Sequence, residues 1–103
     1  MTELTEQEVD GFISSPTLTV LDFWAPWCGP CKAMAPTLDA LVAEGKFNLG
    51  KVNVDSESSL CTKFDIKSVP TLLFFKNGEL LCSLVGLKSR AAILLEIEKI
   101  SMD

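Results

Sequence analysis

Cys28 and Cys31 stand three residues apart in Trp27-Cys28-Gly29-Pro30-Cys31-Lys32. Two thiols at that spacing share one face of a helix, so their sulfurs can meet without moving the backbone. The segment follows a strand-like run, Thr19 to Trp24, and precedes a helical pattern. The first turn of a helix has unpaired N–H groups and a partial positive charge, and both favour thiolate over thiol. The chemistry indicated is a reversible disulfide whose attacking sulfur is activated. Half of a zinc or iron–sulfur site is the alternative. Four-thiolate sites usually bring two closely spaced pairs, and here Cys61 and Cys82 are isolated. Asp22 is the other chemically conspicuous residue. It interrupts an apolar strand, where desolvation raises a carboxyl pKa. It reads either as a proton-handling group or as a satisfied buried polar group.

Several elements must hold these groups. Thr5-Glu6-Gln7-Glu8 is a capping-box pattern, with Val9, Phe12 and Ile13 behind it. It predicts a first helix ending near Ser14-Ser15-Pro16. Leu18 to Ala25 is almost continuously apolar, as in a strand covered on both faces. A second helix is expected to start around Cys28 to Pro30, to bury Met34, Leu38, Leu41 and Val42, to kink at Pro36 and to end at Gly45. Asn48 to Val54 reads as a strand and Ser58 to Phe64 as a short helix. Thr71–Lys76 and Leu80–Val85 flank Asn77-Gly78, a strong hairpin signal that makes these strands antiparallel. The last helix runs from a Ser89 cap to Ile100, with Ile93, Leu94, Ile97 and Ile100 inward. Helices and strands in this order form an α/β sheet with helices on both faces.

Composition narrows the function. The 103 residues suit one domain with a modest core, and 48% hydrophobic with 22% charged residues is globular. The formal charge of −5 shows no basic cluster, which argues against direct nucleic-acid binding. No apolar run approaches the roughly 20 residues that span a bilayer, so no membrane role is expected. The acidic N-terminus is no signal peptide. A complete chain of this kind is expected to stay in a reducing, cytoplasmic compartment. With no histidine, Cys–His nucleophiles and His-ligated metals are excluded, and no metal is expected.

Phe23-Trp24-Ala25-Pro26-Trp27-Cys28-Gly29-Pro30-Cys31-Lys32, Ala35-Pro36, Lys51-Val52-Asn53-Val54-Asp55, Val69-Pro70-Thr71, Phe75-Lys76-Asn77-Gly78 and Val85-Gly86 together resemble the thioredoxin family, in its order and near its spacing. The resemblance implies a thioredoxin fold spanning residues 1–103. That fold is a mixed five-stranded sheet flanked by four helices, with a short first strand around Thr2 to Leu4. It implies that Cys28 attacks a substrate disulfide, that Cys31 resolves the mixed disulfide, and that Asp22, with Lys51 beside it, handles the proton of Cys31. Lys51 reads equally as a solvated strand residue. The resemblance also implies a cis peptide before Pro70, facing the sulfurs and leaving the residue 69 backbone free for an extended substrate. A trans proline opening a strand is the alternative. Gly29 and Pro30 set the spacing and stiffness between the thiols. Trp27, Val85 and Gly86 match a flat apolar docking surface, Gly86 also being readable as a turn glycine. Trp24 reads as packing. The segment before Asn48 is a residue or two short for the family.

Cys61, beside Leu60 and Phe64, and Cys82, sharing strand parity with Leu80 and Leu84, read as buried small apolar residues. A Cys61–Cys82 bridge stays open, because four cysteines allow three pairings.

The function implied is that of a monomeric protein-disulfide reductase. It holds no bound cofactor and receives electrons from NADPH through a thioredoxin reductase. The chain has no Gly-rich dinucleotide motif of its own. Direction depends on potential, since about 30 mV shifts a two-electron balance by roughly 1.4 kcal/mol. Two other classes compete: a binding subunit that uses the docking surface without its thiols, and a metal or cluster held between chains by Cys28 and Cys31.

Overall fold

The computed structural model describes residues 2–102, so Met1 and Asp103 of the expected domain lie outside the described residues. The elements run β1 (Thr2–Glu3), α1 (Glu6–Ile13), β2 (Thr19–Trp24), α2 (Gly29–Ala43), β3 (Asn48–Asn53), α3 (Ser58–Lys63), β4 (Thr71–Lys76), β5 (Glu79–Val85) and α4 (Arg90–Ser101). The five strands form one sheet in the order β1-β3-β2-β4-β5. β3 is parallel to β1 and β2, whereas β4 is antiparallel to β2 and β5. Every expected element is present within two residues of its expected ends.

Local chemistry explains the ends. The Glu8 carboxylate accepts from both the amide and the hydroxyl of Thr5, at 3.0 and 2.9 Å, which starts α1. Ser89 accepts from the Ala92 amide at 3.1 Å and starts α4. α2 stops in a Schellman turn: the Lys46 amide donates to Leu41 O, and Gly45, at φ +76°, donates to Val42 O. Asn77 and Gly78 both have positive φ, as a two-residue type I′ hairpin requires. Pro36 sits inside α2, which runs through it as one helix.

Two cores sandwich the sheet. On one face Leu21, Phe23, Val52, Leu73 and Phe75 pack with Val9 and Ile13 of α1 and Leu60 of α3. On the other, Val20, Leu49, Leu72 and Phe74 pack with Met34, Leu38 and Leu41 of α2 and Ile93 of α4. Central β2 is covered on both sides, which accounts for its unbroken apolar run. Leu94, Ile97 and Ile100 are only partly buried against the second core. Gly50 has a packing reason that sequence patterns do not show. A Cβ there would collide with Leu4 and lie 2.7 Å from Phe12, so its bareness lets β1 and α1 close on β3.

One register expectation is corrected. A bulge between Phe74 and Phe75 sets Cys82 opposite Phe74 but Leu80 opposite Phe75. Cys82 therefore shares a face with Leu84 and not with Leu80, which is 50% exposed.

Candidate active site

Cys28 is the N-cap of α2, in an extended conformation, and its Sγ accepts a hydrogen bond from the Cys31 amide at 3.1 Å. Its own carbonyl takes the Lys32 amide at 3.3 Å, and its amide donates to Ala25 O at 3.1 Å. The first residues of α2 therefore aim an N–H and the positive end of the helix dipole at this sulfur. Proline at the start of the helix removes no donor that the helix needs. Cys31 is one turn along and is disulfide-bonded to Cys28, with Cα atoms 5.3 Å apart. Both residues are nearly buried, in a small cluster with Ala25 that Trp24, Val54 and Val69 border.

The rim around the disulfide is apolar and open. Trp27 is 69% and Val85 56% exposed. The Trp27 indole N–H donates to both oxygens of the Asp55 carboxylate, at 3.1 and 3.3 Å, which fixes the ring. Val69 precedes a cis Pro70, and the Pro70 carbonyl accepts from the Gly86 amide at 2.8 Å. This bond holds the β5 end, Val85-Gly86, beside the Val69-Pro70 segment. Gly86 has φ +90°, a left-handed turn conformation. Trp27 and Val69, with Val54, Cys61, Ile66, Lys67 and Ser68, line a groove of about 200 Å³.

Asp22 lies in β2 on the face that α2 covers and is 4% exposed. Its Oδ1 is buried without a hydrogen-bond partner among the described residues. Burial is the main cause that pushes its pKa up to about 6. Nearby Lys51 opposes the rise, while the carboxylates of Glu3 and Asp39 add to it. Lys51 pairs with Asp22 across β3 and β2, and its Nζ lies 4.4 Å from the centroid of the Trp24 ring. Strand pairing thus places it beside the aspartate.

The other cysteines depart from expectation. Both are free and half-buried, not fully buried. Cys61 packs on the α1–α3 side of the sheet and Cys82 on the α2–α4 side, so the sheet separates them and excludes a bridge between them. Burial raises the Cys61 thiol pKa. Burial and then the Glu96 carboxylate push Cys82 up to about 11. Among the described residues, no three His, Cys, Asp or Glu side chains gather as metal ligands would. None of these residues forms a helix long and apolar enough to cross a membrane.

Two features escaped the sequence reading: the Asp55 anchor of Trp27 and the place of Cys61 in the groove wall. The alternation of β3 carries Val54 and Asp55 past its end toward Trp27, a hint available only once β2 and β3 are known to pair.

Comparison with known proteins agrees with this geometry. The family model described as Thioredoxin matches residues 1–99. The thioredoxin of Staphylococcus saprophyticus is 40% identical over 99 residues, covering 94% of each chain. The chloroplastic M-type thioredoxin of Pisum sativum is 46% identical over 89 residues, 84% of this chain and 52% of that protein. The chain spans about half the length of the chloroplast relatives it matches. The structure of a mutant thioredoxin from Halobacterium salinarum superposes with a TM-score of 0.89 at 30% identity, covering 96% of this chain and 88% of that one. The chain belongs to the thioredoxin family.

Proposed function

We propose that the chain is a protein-disulfide reductase working by thiol–disulfide exchange. The observation that carries this is the Cys28 sulfur capping α2 and accepting the Cys31 amide, with Cys31 in bonding reach. In the reduced protein the Cys28 thiolate attacks one sulfur of a substrate disulfide. That bond breaks, a mixed disulfide forms, and the other substrate sulfur leaves as thiolate and takes a proton. Cys31 then gives up its proton and attacks Cys28 Sγ. The Cys28–Cys31 disulfide forms and the substrate leaves as a dithiol, having gained two electrons.

Asp22 receives the Cys31 proton, a role suited to a carboxyl whose pKa of about 6 lies near neutral pH. Lys51 balances the charge that Asp22 carries when ionised. The substrate backbone runs along Val69 and Pro70 beside Gly86. Neither the amide nor the carbonyl of Val69 pairs with another backbone group among the described residues, which suits strand-like pairing. Trp27, Gly29, Pro30 and Val85 cover the chain flanking the attacked cysteine.

The chain acts as a single monomeric domain over residues 1–103 in a reducing cytoplasmic compartment. Its dithiol is restored by a thioredoxin reductase drawing on NADPH. The test is insulin reduction by dithiothreitol with and without the protein. Acceleration that disappears in Cys28→Ser is expected, and no acceleration, or full activity in that variant, overturns the reading.

A further inference from the structure

The Asp55 carboxylate holds the Trp27 indole, yet no cation holds Asp55 in turn. Among the described residues it makes no ion pair, and its oxygens accept only the indole N–H, at 3.1 and 3.3 Å. Asp55 is also exposed, so packing does not restrict its rotamers. Its place must come from the backbone of the turn that carries it.

That turn, residues 53–57, is built on Asn53. Asn53 ends β3 and is paired with Trp24, the last residue of β2. The side-chain oxygen of Asn53 accepts from the Asp55 amide at 2.9 Å, an Asx turn. Its main-chain carbonyl accepts from the amides of Ser56 and Glu57, at 3.1 and 3.0 Å, and from the Ser56 hydroxyl at 3.3 Å. One half-buried residue thus takes three successive amides. Both feet of the turn are tied down by other bonds. At the near foot the Val54 amide donates to Trp24 O at 2.9 Å. At the far foot Glu57 is the N-cap of α3, but its carboxylate accepts from the Glu6 amide of α1 at 3.0 Å. Between the feet, the Asn53 side chain is the only group bonded to the Asp55 backbone among the described residues.

We infer that Asn53 is a positioning residue for substrate docking: its side-chain oxygen sets the Asp55 backbone, and Asp55 sets the Trp27 indole. It rests on the reading that Trp27 covers the substrate chain beside the attacked disulfide. Asn53 touches neither sulfur nor substrate in this scheme. Its loss should therefore weaken docking and leave the exchange chemistry intact.

The test compares Asn53→Ala with Asn53→Asp, which keeps a side-chain oxygen at the same reach. The first readout is the Trp27 indole proton by NMR in the oxidised protein. In Asn53→Ala it should move most of the way to its position in Asp55→Ala, and in Asn53→Asp it should stay near the wild-type position. The second readout is steady-state insulin reduction. Asn53→Ala should raise KM about threefold with kcat little changed, and Asn53→Asp should restore it. Asn53→Leu fills the space that alanine leaves and should behave as Asn53→Ala does. In an Asp55→Ala background Asn53→Ala should add less than about 1.5-fold. An unmoved indole signal in the alanine and leucine variants overturns the chain of contacts. A full threefold rise in the Asp55→Ala background overturns the route through Asp55. The indole signal needs no turnover, which separates this inference from the reading beneath it. If Asp55→Ala moves the signal but leaves KM unchanged, Trp27 docks no substrate and the role of Asn53 falls with that reading.

Discussion

The chain holds two pairs of cysteines in two environments. Cys28 and Cys31 are nearly buried, and Cys61 and Cys82 are half-buried, so exposure alone would rank the second pair as the reactive one. Local charge reverses that order. Cys28 caps a fifteen-residue helix and receives an amide hydrogen bond on sulfur. Cys82 lies in a β-strand with a carboxylate against it and is pushed up to about 11. Cys61 sits within the short α3, where burial raises its pKa. The same thiol becomes a nucleophile or a spacer according to the dipoles aimed at it.

The strongest way to break this contrast is to swap roles by mutation. Cys28→Ser should lower insulin reduction to background, roughly a thousandfold or more, since the remaining thiols are not activated. Cys31→Ser should instead accumulate a mixed disulfide with substrate, visible by mass spectrometry as a covalent adduct. Activity in Cys28→Ser carried by Cys61 would undo the comparison.

A second effect concerns what the front region costs the fold. Asp22 has a folded pKa of about 6 against an ordinary value of 3.8. Because the folded value is raised, folding favours the protonated acid. The stability that Asp22 contributes is therefore fully present below about pH 3.8, is lost as pH rises through about 6, and stays lost above that. At 1.36 kcal/mol per unit the loss is about 3 kcal/mol at pH 7. Asp22→Asn should recover an amount of that order in urea unfolding at pH 7 and little at pH 4. Equal gains at both pH values would mean that packing, not charge, is responsible. The back cysteines carry no comparable cost.

These consequences were unequally legible in the sequence. The Cys-Gly-Pro-Cys segment, the Thr5 and Ser89 caps and the Asn77-Gly78 turn are local, because each is decided by residues within four positions of one another. Non-local features were not. The bulge that turns Leu80 away from Cys82 depends on how β5 meets β4. Gly50 is explained only by Leu4, just past the end of β1, and by Phe12 of α1. Asp55 reaches Trp27 because β2 and β3 run parallel and end together. The half-burial of Cys61 follows from the groove that Ile66 to Val69 make beside it. Residue types and periodicity carry no record of such neighbours until the sheet order is known.

Smaller effects sharpen the comparison further. Asp55→Ala frees the Trp27 indole, and the KM for a protein substrate should rise roughly fivefold, as for loss of about 1 kcal/mol from an exposed charge-assisted bond, with kcat little changed. A kcat loss without a KM change would move Asp55 from docking to chemistry. Smallest of all, Cys61→Ser and Cys82→Ser should each leave activity within about twofold. A larger loss for Cys61→Ser would show that the groove wall needs that side chain.

The most direct measurement is the pH dependence of iodoacetamide alkylation in the fully reduced protein, resolved cysteine by cysteine by mass spectrometry. Cys28 should react with a midpoint well below the ordinary thiol range, while Cys82 stays sluggish until strongly alkaline pH. If Cys28 instead follows the same profile as Cys61 and Cys82, the helix terminus does not activate it and the proposed chemistry has no basis.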